Sequence, residues 1–332
     1  MKENSTIMFY LIILVLLFVA ELFYFRIADR YNIIDKPNER SSHIRITLRG
    51  GGIIFYLGIL LYMSFYGFEY LYFFIGLTLI CFISFIDDIR SVSSKVRLLA
   101  HLGAMLLMFY QWGIWNNSPW WYIVVALIFC TGLINAYNFM DGINGITGGY
   151  SCIVALTLLY INNEIVCFIE PSYLYVVVLS LFVFNLFNFR RNAKCFAGDV
   201  GSVGIAFILL FALGLLILKT ENLYWIVLLA VYGVDSILTI VHRLILHENI
   251  FEPHRKHVYQ ILANELHISH IKVSFLYMLL QSVINIFFLL IGNQNQGIYF
   301  LVIIVLLSCI YIYMIRNYFN MKEKSFQTND YE

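Results

Sequence analysis

Charge is what this sequence has least of. Only 12% of its 332 residues are Asp, Glu, Lys or Arg, while 61% are hydrophobic; soluble domains carry about 25% charged residues. A chain of this length could bury a large core, but it lacks the polar surface to cover one, so its solvent is lipid. Neither sign of charge dominates. The net charge of +1 argues against a general pull towards nucleic acid and leaves any basic function local. Paired cysteines are missing too. Cys81, Cys130, Cys152, Cys167, Cys195 and Cys309 form no C-x-x-C, and most sit inside apolar runs. They are expected to be small core residues, with no disulfide framework and no zinc site. No solenoid-type repeat is visible, and no polar stretch is long enough to fold alone.

What is present is a series of apolar runs long enough to cross a bilayer. Eleven candidate spans lie at roughly 7–25, 51–67, 70–86, 96–113, 120–137, 146–161, 173–189, 202–218, 222–241, 273–292 and 298–318. Lys2 precedes the first and no small-residue cleavage site follows it, as expected of a retained helix and not of a signal peptide. With the N-terminus outside, the inner connections carry nearly all the cations, from Arg26 and Arg49 through Arg97 and Arg191 to Arg243 and Lys272. The outer side keeps only Lys2 and Lys219. This positive-inside bias predicts an all-α, polytopic membrane protein of ten or eleven helices. A single transmembrane domain over 1–319 precedes a polar, irregular cytoplasmic tail over 320–332.

The inner connections also hold the chemistry. A polar, glycine-rich island runs from Asn135 to Gly149, with Asn138, Asp141 and Asn144 among turn-forming glycines. An ordinary interhelical loop explains the glycines but not the density of amides. Asp87 and Asp88 end the third span, the wrong end of a helix for negative charge. Two adjacent acids there invite a metal or proton role, although a helix stop balanced by Arg90 is the plainer alternative. Asp199 lies between glycines just before an apolar helix, where an N-cap is the simple explanation; Arg190, Arg191 and Lys194 nearby suit a phosphate. The loop from Asp35 to Gly52 joins cations to three consecutive glycines, which could cradle an anion or merely fix topology. His254 and His257 stand three apart, which on a helix would give them one face. The cations Arg255 and Lys256 between them favour an anion over a divalent metal. His267 and His270 repeat the spacing without acidic partners and are expected to be structural.

These segments occur in a recognisable order: Lys36-Pro-Asn-Glu-Arg-Ser-Ser-His43 leading to Arg49-Gly-Gly, the Asp87-Asp88 pair, Asn135-x-x-Asn138-x-x-Asp141-Gly-x-x-Gly145, Phe196-x-Gly-Asp199-x-Gly-Ser202, and His254-Arg-Lys-His257. The chain resembles the polyprenyl-phosphate N-acetylhexosamine-1-phosphate transferases, glycosyltransferase family 4, which include the phospho-MurNAc-pentapeptide transferases. Pro253-His-Arg-Lys-His-Val-Tyr-Gln260 is closer to the branch that initiates O-antigen and related surface polysaccharides. The resemblance implies a plasma-membrane enzyme with its active site on the cytoplasmic side. It would pass a sugar 1-phosphate from a UDP-N-acetylamino sugar to undecaprenyl phosphate, releasing UMP, and start lipopolysaccharide or cell-wall glycan synthesis. It implies Mg²⁺, with Mn²⁺ as a substitute, because hard oxygen ligands suit that ion. By match, Asp199 leads the metal ligands with Asp141 beside it. Asp87 and Asp88 serve the lipid phosphate, the metal or proton transfer. Arg40, Ser42, His43, Asn138, Asn188, Lys194, His254, Arg255 and His257 bind substrate. A homodimer is compatible with the resemblance. Asn144 stands where many members have a second Asp, which implies orientation and not charge.

A transporter or lipid flippase is the alternative class. It would need acids deep inside spans and functional charge outside, and only Asp235 lies well inside a later span.

Overall fold

The computed structural model describes residues 2–35, 46–117, 119–249 and 255–329. Its long helices are α1 (Lys2–Arg30), α2 (Ile53–Tyr66), α3 (Leu71–Ile89), α4 (Ser94–Gln111), α5 (Trp120–Met140), α6 (Ile146–Glu164), α7 (Pro171–Asn188), α8 (Gly198–Thr220), α9 (Ala230–Ile245, entered through the 3₁₀ turn Leu223–Leu229), α10 (His270–Leu290) and α11 (Gln296–Asn329). Each falls on one of the eleven apolar runs. Eight helical segments are long and apolar enough to cross a membrane, and the chain is an all-α, multi-pass membrane protein. The other three are shorter or more polar. Helix α2 spans 14 residues; α4 opens on Lys95 and Arg97, and α6 on Thr147 and two glycines.

Helix α8 is the centre of the bundle. It is apolar on every side, as a helix buried all round must be: 83% of its most hydrophobic window is buried, against 22% for α1 and for α11. Aromatic rings bind α3 to it, with Phe73 stacked on Phe211 at 4.1 Å and on Phe207 at 5.6 Å. Such offset ring pairs add to the stabilisation from buried area alone. Where α2 begins against α8, Gly52 meets Gly201 so closely that a Cβ on either would collide with the other's backbone.

Two features depart from the sequence expectation. Ile34–Asp35 and Thr47–Leu48 pair as a two-residue antiparallel ribbon. The latter strand also bonds to the segment before α8, through Phe196 N–H to the Leu48 carbonyl at 2.8 Å. The stretch from Asn320 continues α11 as far as Asn329 instead of leaving the helix; Met321-Lys-Glu-Lys carries residues of good helix propensity.

Because successive helices alternate in direction, the C-terminal ends of α3, α5 and α7 gather at one end of the bundle. They meet there the starts of α4, α6, α8 and α10, and every polar segment picked out from the sequence that the structure describes lies at that end.

Candidate active site

Helix α8 is the anchor of this end. Its first N–H groups have no partner within the helix, and the buried Asp88 carboxylate supplies one from α3. Asp88 Oδ1 accepts from the Asp199 N–H at 2.9 Å, and Oδ2 accepts from the Val200 N–H at 3.0 Å. An anion at a helix N-terminus is also favoured by the helix dipole. The contact requires Gly198. Its φ is +71°, and a Cβ there would stand 2.6 Å from Asp88 Oδ2. The glycine before Asp199 is thus a consequence of a carboxylate arriving from elsewhere in the chain.

Two arginines tie the acids together. Arg49 Nε lies 2.7 Å from Asp88 Oδ1 and its Nη2 lies 3.4 Å from Asp199 Oδ1. Arg97 Nη1 lies 2.8 Å from Asp87 Oδ2 and 3.5 Å from Asp199 Oδ2. Burial works against the charge of Arg49, but the Asp88 and Asp199 carboxylates outweigh it, so its guanidinium is held above its ordinary pKa. Asp87 Oδ1 additionally takes the Val92 N–H at 2.5 Å, which fixes the turn into α4. The adjacent acids therefore differ in kind. Asp88 spends both oxygens on the α8 backbone and Arg49, whereas Asp87 faces Asp199 across Arg97.

Asp199 opens into a cavity of about 200 Å³. Asp141, Asn138, Arg49, Asp35 and His270 share its wall. Burial pushes the Asp141 carboxyl up to about 7; a Thr147 hydrogen bond pulls the other way, and the charge of Asp88 adds to the rise. Asn138 Oδ1 accepts from the Ser202 hydroxyl at 3.0 Å, joining α5 to α8. Asn188, expected to bind substrate, is engaged at both ends of its amide: Oδ1 accepts from the Gly145 N–H and Nδ2 donates to the Cys195 carbonyl, each at 2.8 Å. It positions the two loops flanking the cavity. Asn144 does similar work, donating to the Arg190 and Arg191 carbonyls at 3.1 and 3.2 Å.

Asp87, Asp88, Asn138, Asp141, Asn188 and Asp199 thus come together; Lys194 and His257 do not line the cavity. Lys194 is exposed and lies 5.3 Å over the Phe25 ring on α1, outside the cavity. His257 is buried, and its Nδ1 lies 3.3 Å from Asp235 Oδ1. It precedes a single turn, Val258–Gln260, and residues 255–257 before that turn are not helical. Arg255 lies in the same irregular segment, half-buried. Arg40, Ser42, His43 and His254 lie outside the described residues. Arg49, Arg97 and Asp35 are the additions that sequence inspection missed. His270, expected to be structural, lines the cavity, with the Asn144 N–H 3.5 Å from its Nδ1.

Asp235, the one acid deep in a later span, is enclosed. It accepts from the Tyr277 hydroxyl at 2.6 Å, the Val258 N–H at 3.1 Å and the Thr239 hydroxyl at 3.3 Å, besides meeting His257. These partners make it a clasp holding the His257 segment to α9 and α10, and they leave a proton-path reading without support. Asp235→Ala should lower the melting temperature in a tryptophan-fluorescence melt by several degrees, since each stranded buried donor costs roughly 1–3 kcal/mol. Asp235→Asn, which keeps an acceptor for Tyr277, should lose less. An unchanged melt in both would remove the clasp.

Residues 70–218 match the family model described as Glycosyl transferase family 4. The match runs from α3 through α8, so it contains the Asp88–α8 contact, Arg97 and the α5–α6 island. Curated relatives extend further. An undecaprenyl-phosphate alpha-N-acetylglucosaminyl 1-phosphate transferase of Escherichia coli K12 is 27% identical over 284 residues, 76% of this chain and 75% of the relative. The enzyme of that name from Yersinia pestis is 26% identical over 287 residues, covering 78% and 76%. A probable undecaprenyl-phosphate N-acetylglucosaminyl 1-phosphate transferase of Bacillus subtilis 168 is 27% identical over 261 residues, 71% of both chains. The acids and arginines at the start of α8 form the candidate active site.

A metal must fit these donors if the site is to use one. Among the described residues, no three His, Cys, Asp or Glu side chains converge to enclose an ion. Mg²⁺ does not require such a cage. It keeps several waters and is usually bound through one or two carboxylates plus substrate phosphates. Asp199 and Asp141, in one cavity with amides and no thiol, are oxygen donors of that kind.

Proposed function

We propose that this protein transfers N-acetylamino-sugar 1-phosphate from a UDP-sugar to undecaprenyl phosphate at the cytoplasmic face of the bacterial plasma membrane. An oxygen of the lipid phosphate bonds to the sugar-bearing phosphorus of the donor. The bond from that phosphorus to UMP breaks, and UMP leaves with the electron pair. The observation that carries this reading is the meeting of Asp87 and Asp199 across Arg97, beside a cavity that Asp141 also lines. Two anionic substrates can react only where cationic groups offset their charge. Arg49 and Arg97 supply fixed positive charge, and Asp199 and Asp141 would hold Mg²⁺. When bound, that ion would neutralise phosphate oxygens as a Lewis acid. Asp88 holds α8 in register. Asp87, paired with Arg97 beside Asp199, would accept the proton of the incoming lipid phosphate. The relatives' names point to N-acetylglucosamine as the first sugar to test, and the cations on the inner connections support a cytoplasmic site.

Purified protein given radiolabelled UDP-N-acetylglucosamine and undecaprenyl phosphate should yield lipid-linked sugar and UMP in equal amounts. UDP-N-acetylgalactosamine and N-acetylated 6-deoxy sugars, run in parallel, identify the preferred donor. EDTA should stop turnover and Mg²⁺ restore it. Absence of lipid product with every donor would end the proposal.

Asp141 makes the cation step pH-dependent. Its carboxyl is raised to about 7, so below that pH it is largely neutral and a poor ligand. Mn²⁺ affinity, read by electron paramagnetic resonance, should therefore rise at least about tenfold from pH 6 to pH 8, and the rise should be smaller in Asp141→Asn. The stability linkage has the opposite sign. The folded state holds a proton that the unfolded chain releases above its ordinary carboxylate pKa, so stability falls as pH rises from about 4 to 7. That slope should be shallower in the same variant.

A further inference from the structure

Outside the active site, a groove with a volume of about 420 Å³ lies between α6, α7 and α10. Its walls are mostly apolar, with Phe182, Leu186 and Phe189 on the α7 side, Met278 on α10 and Cys152 on α6; Asn185 of α7 is a polar lining residue. Gly149 forms the floor, where a Cβ would run into the Met278 side chain. Phe182 and Leu186 are exposed at the level of a membrane-spanning helix, so the groove opens sideways towards lipid. Its polar end is marked by Arg190. This arginine donates to the Leu186 carbonyl and lies over the Phe187 ring, which holds its side chain against the end of α7. Arg191 follows it, and Lys272 sits exposed in the first turn of α10.

We infer that this groove is a binding site for one anionic phospholipid of the surrounding bilayer. An acyl chain lies against Phe182, Leu186 and Met278, and the phosphate meets Arg190. Charge complementarity selects the occupant. A zwitterionic lipid carries its own cation beside the phosphate, whereas an anionic one leaves the phosphate charge for the arginine. A planar guanidinium also pairs with phosphate through two parallel N–H groups. The acceptor substrate is a poorer occupant. The groove and the catalytic cavity share no lining residue among those described, and the Asn144 and Asn188 bonds form a wall between them. That wall also gives the site a consequence. The carbonyls of Arg190 and Arg191 are the acceptors that hold Asn144, so a lipid ordering Arg190 steadies one side of the catalytic cavity.

Native mass spectrometry of the full-length protein in detergent, titrated with phosphatidylglycerol and phosphatidylcholine of identical chains, tests the site. Wild type should retain one phosphatidylglycerol at least fivefold more readily than one phosphatidylcholine. Arg190→Gln should abolish that preference, while Arg30→Gln, which removes an exposed charge from the end of α1, should keep it. Phe182→Ala, a change at an exposed position, should weaken both lipids and so tests the chain contact independently. Equal retention of the two lipids would overturn the inference. So would an equal loss in Arg30→Gln, which indicates diffuse surface charge, or displacement of the retained lipid by stoichiometric undecaprenyl phosphate, which assigns the groove to the acceptor. None of these readouts depends on turnover, so they stand apart from the transferase reading. In phosphatidylglycerol nanodiscs the wild type should also turn over faster than in phosphatidylcholine, and Arg190→Gln should not.

Discussion

Asp199→Asn should lower sugar-phosphate transfer at least about a thousandfold while leaving the melting temperature within a few degrees of wild type. The loss follows from position. Asp199 is the only acid in the first turn of α8, and it faces both Arg49 and Arg97 while lining the cavity. Neutralising it removes one donor from the proposed cation site and unbalances two arginines at the point where phosphate charge must be offset. Single preorganised electrostatic groups in enzymes contribute about 10²–10³ in rate, and loss of a metal ligand compounds that. The fold should survive because the α8 N-terminus is held through the Asp199 backbone N–H, not its side chain. Asparagine also keeps the shape and can still accept from either arginine. The decisive comparison is Mn²⁺ binding beside turnover: both should fall together. Wild-type turnover in a folded Asp199→Asn protein would remove Asp199 from the chemistry.

The sequence made the acids legible for a physical reason. In a lipid-solvated chain each carboxylate must be accounted for, so Asp87, Asp88, Asp141 and Asp199 stand out against apolar runs. The helix starts and ends they occupy put them at one end of the bundle once the spans are counted. The arginines stayed hidden by the same logic. Every inner connection carries cations for topology, so nothing local separates Arg49 and Arg97 from Arg26 or Arg191; only their distances to Asp88, Asp87 and Asp199 do. Asn188 and Asp235 were visible as polar residues in apolar surroundings, but their partners, Gly145 and Cys195 for one and Tyr277, Val258 and His257 for the other, are brought in by packing. The His254–His257 spacing gives one face only on a helix, and the described part of that segment enters its single turn at His257.

Asp88→Ala should differ in kind from Asp199→Asn, losing stability as well as activity. The Asp88 side chain is fully buried, and Arg49 remains one-third exposed. Truncation strands the Asp199 and Val200 N–H groups at the start of the central helix and leaves Arg49 without its nearest counter-ion. Breaking a buried pair from one side costs about 3–5 kcal/mol. Solvent at Arg49 screens part of that, so about 2–4 kcal/mol is expected here. Transfer should fall as well, because the end of α8 that presents Asp199 is no longer pinned to α3. Asp88→Asn should lie between, since one carbonyl oxygen can serve one of the two N–H groups but carries no charge for Arg49. Gly198→Ala reaches the same contact from the other side: its backbone is left-handed, and its new Cβ would press on Asp88 Oδ2. It should therefore reproduce the paired loss without touching any carboxylate. Thermal melts and turnover measured on the three variants separate positioning from chemistry, and an Asp88→Ala protein as stable and active as wild type would show that α8 is held by other contacts.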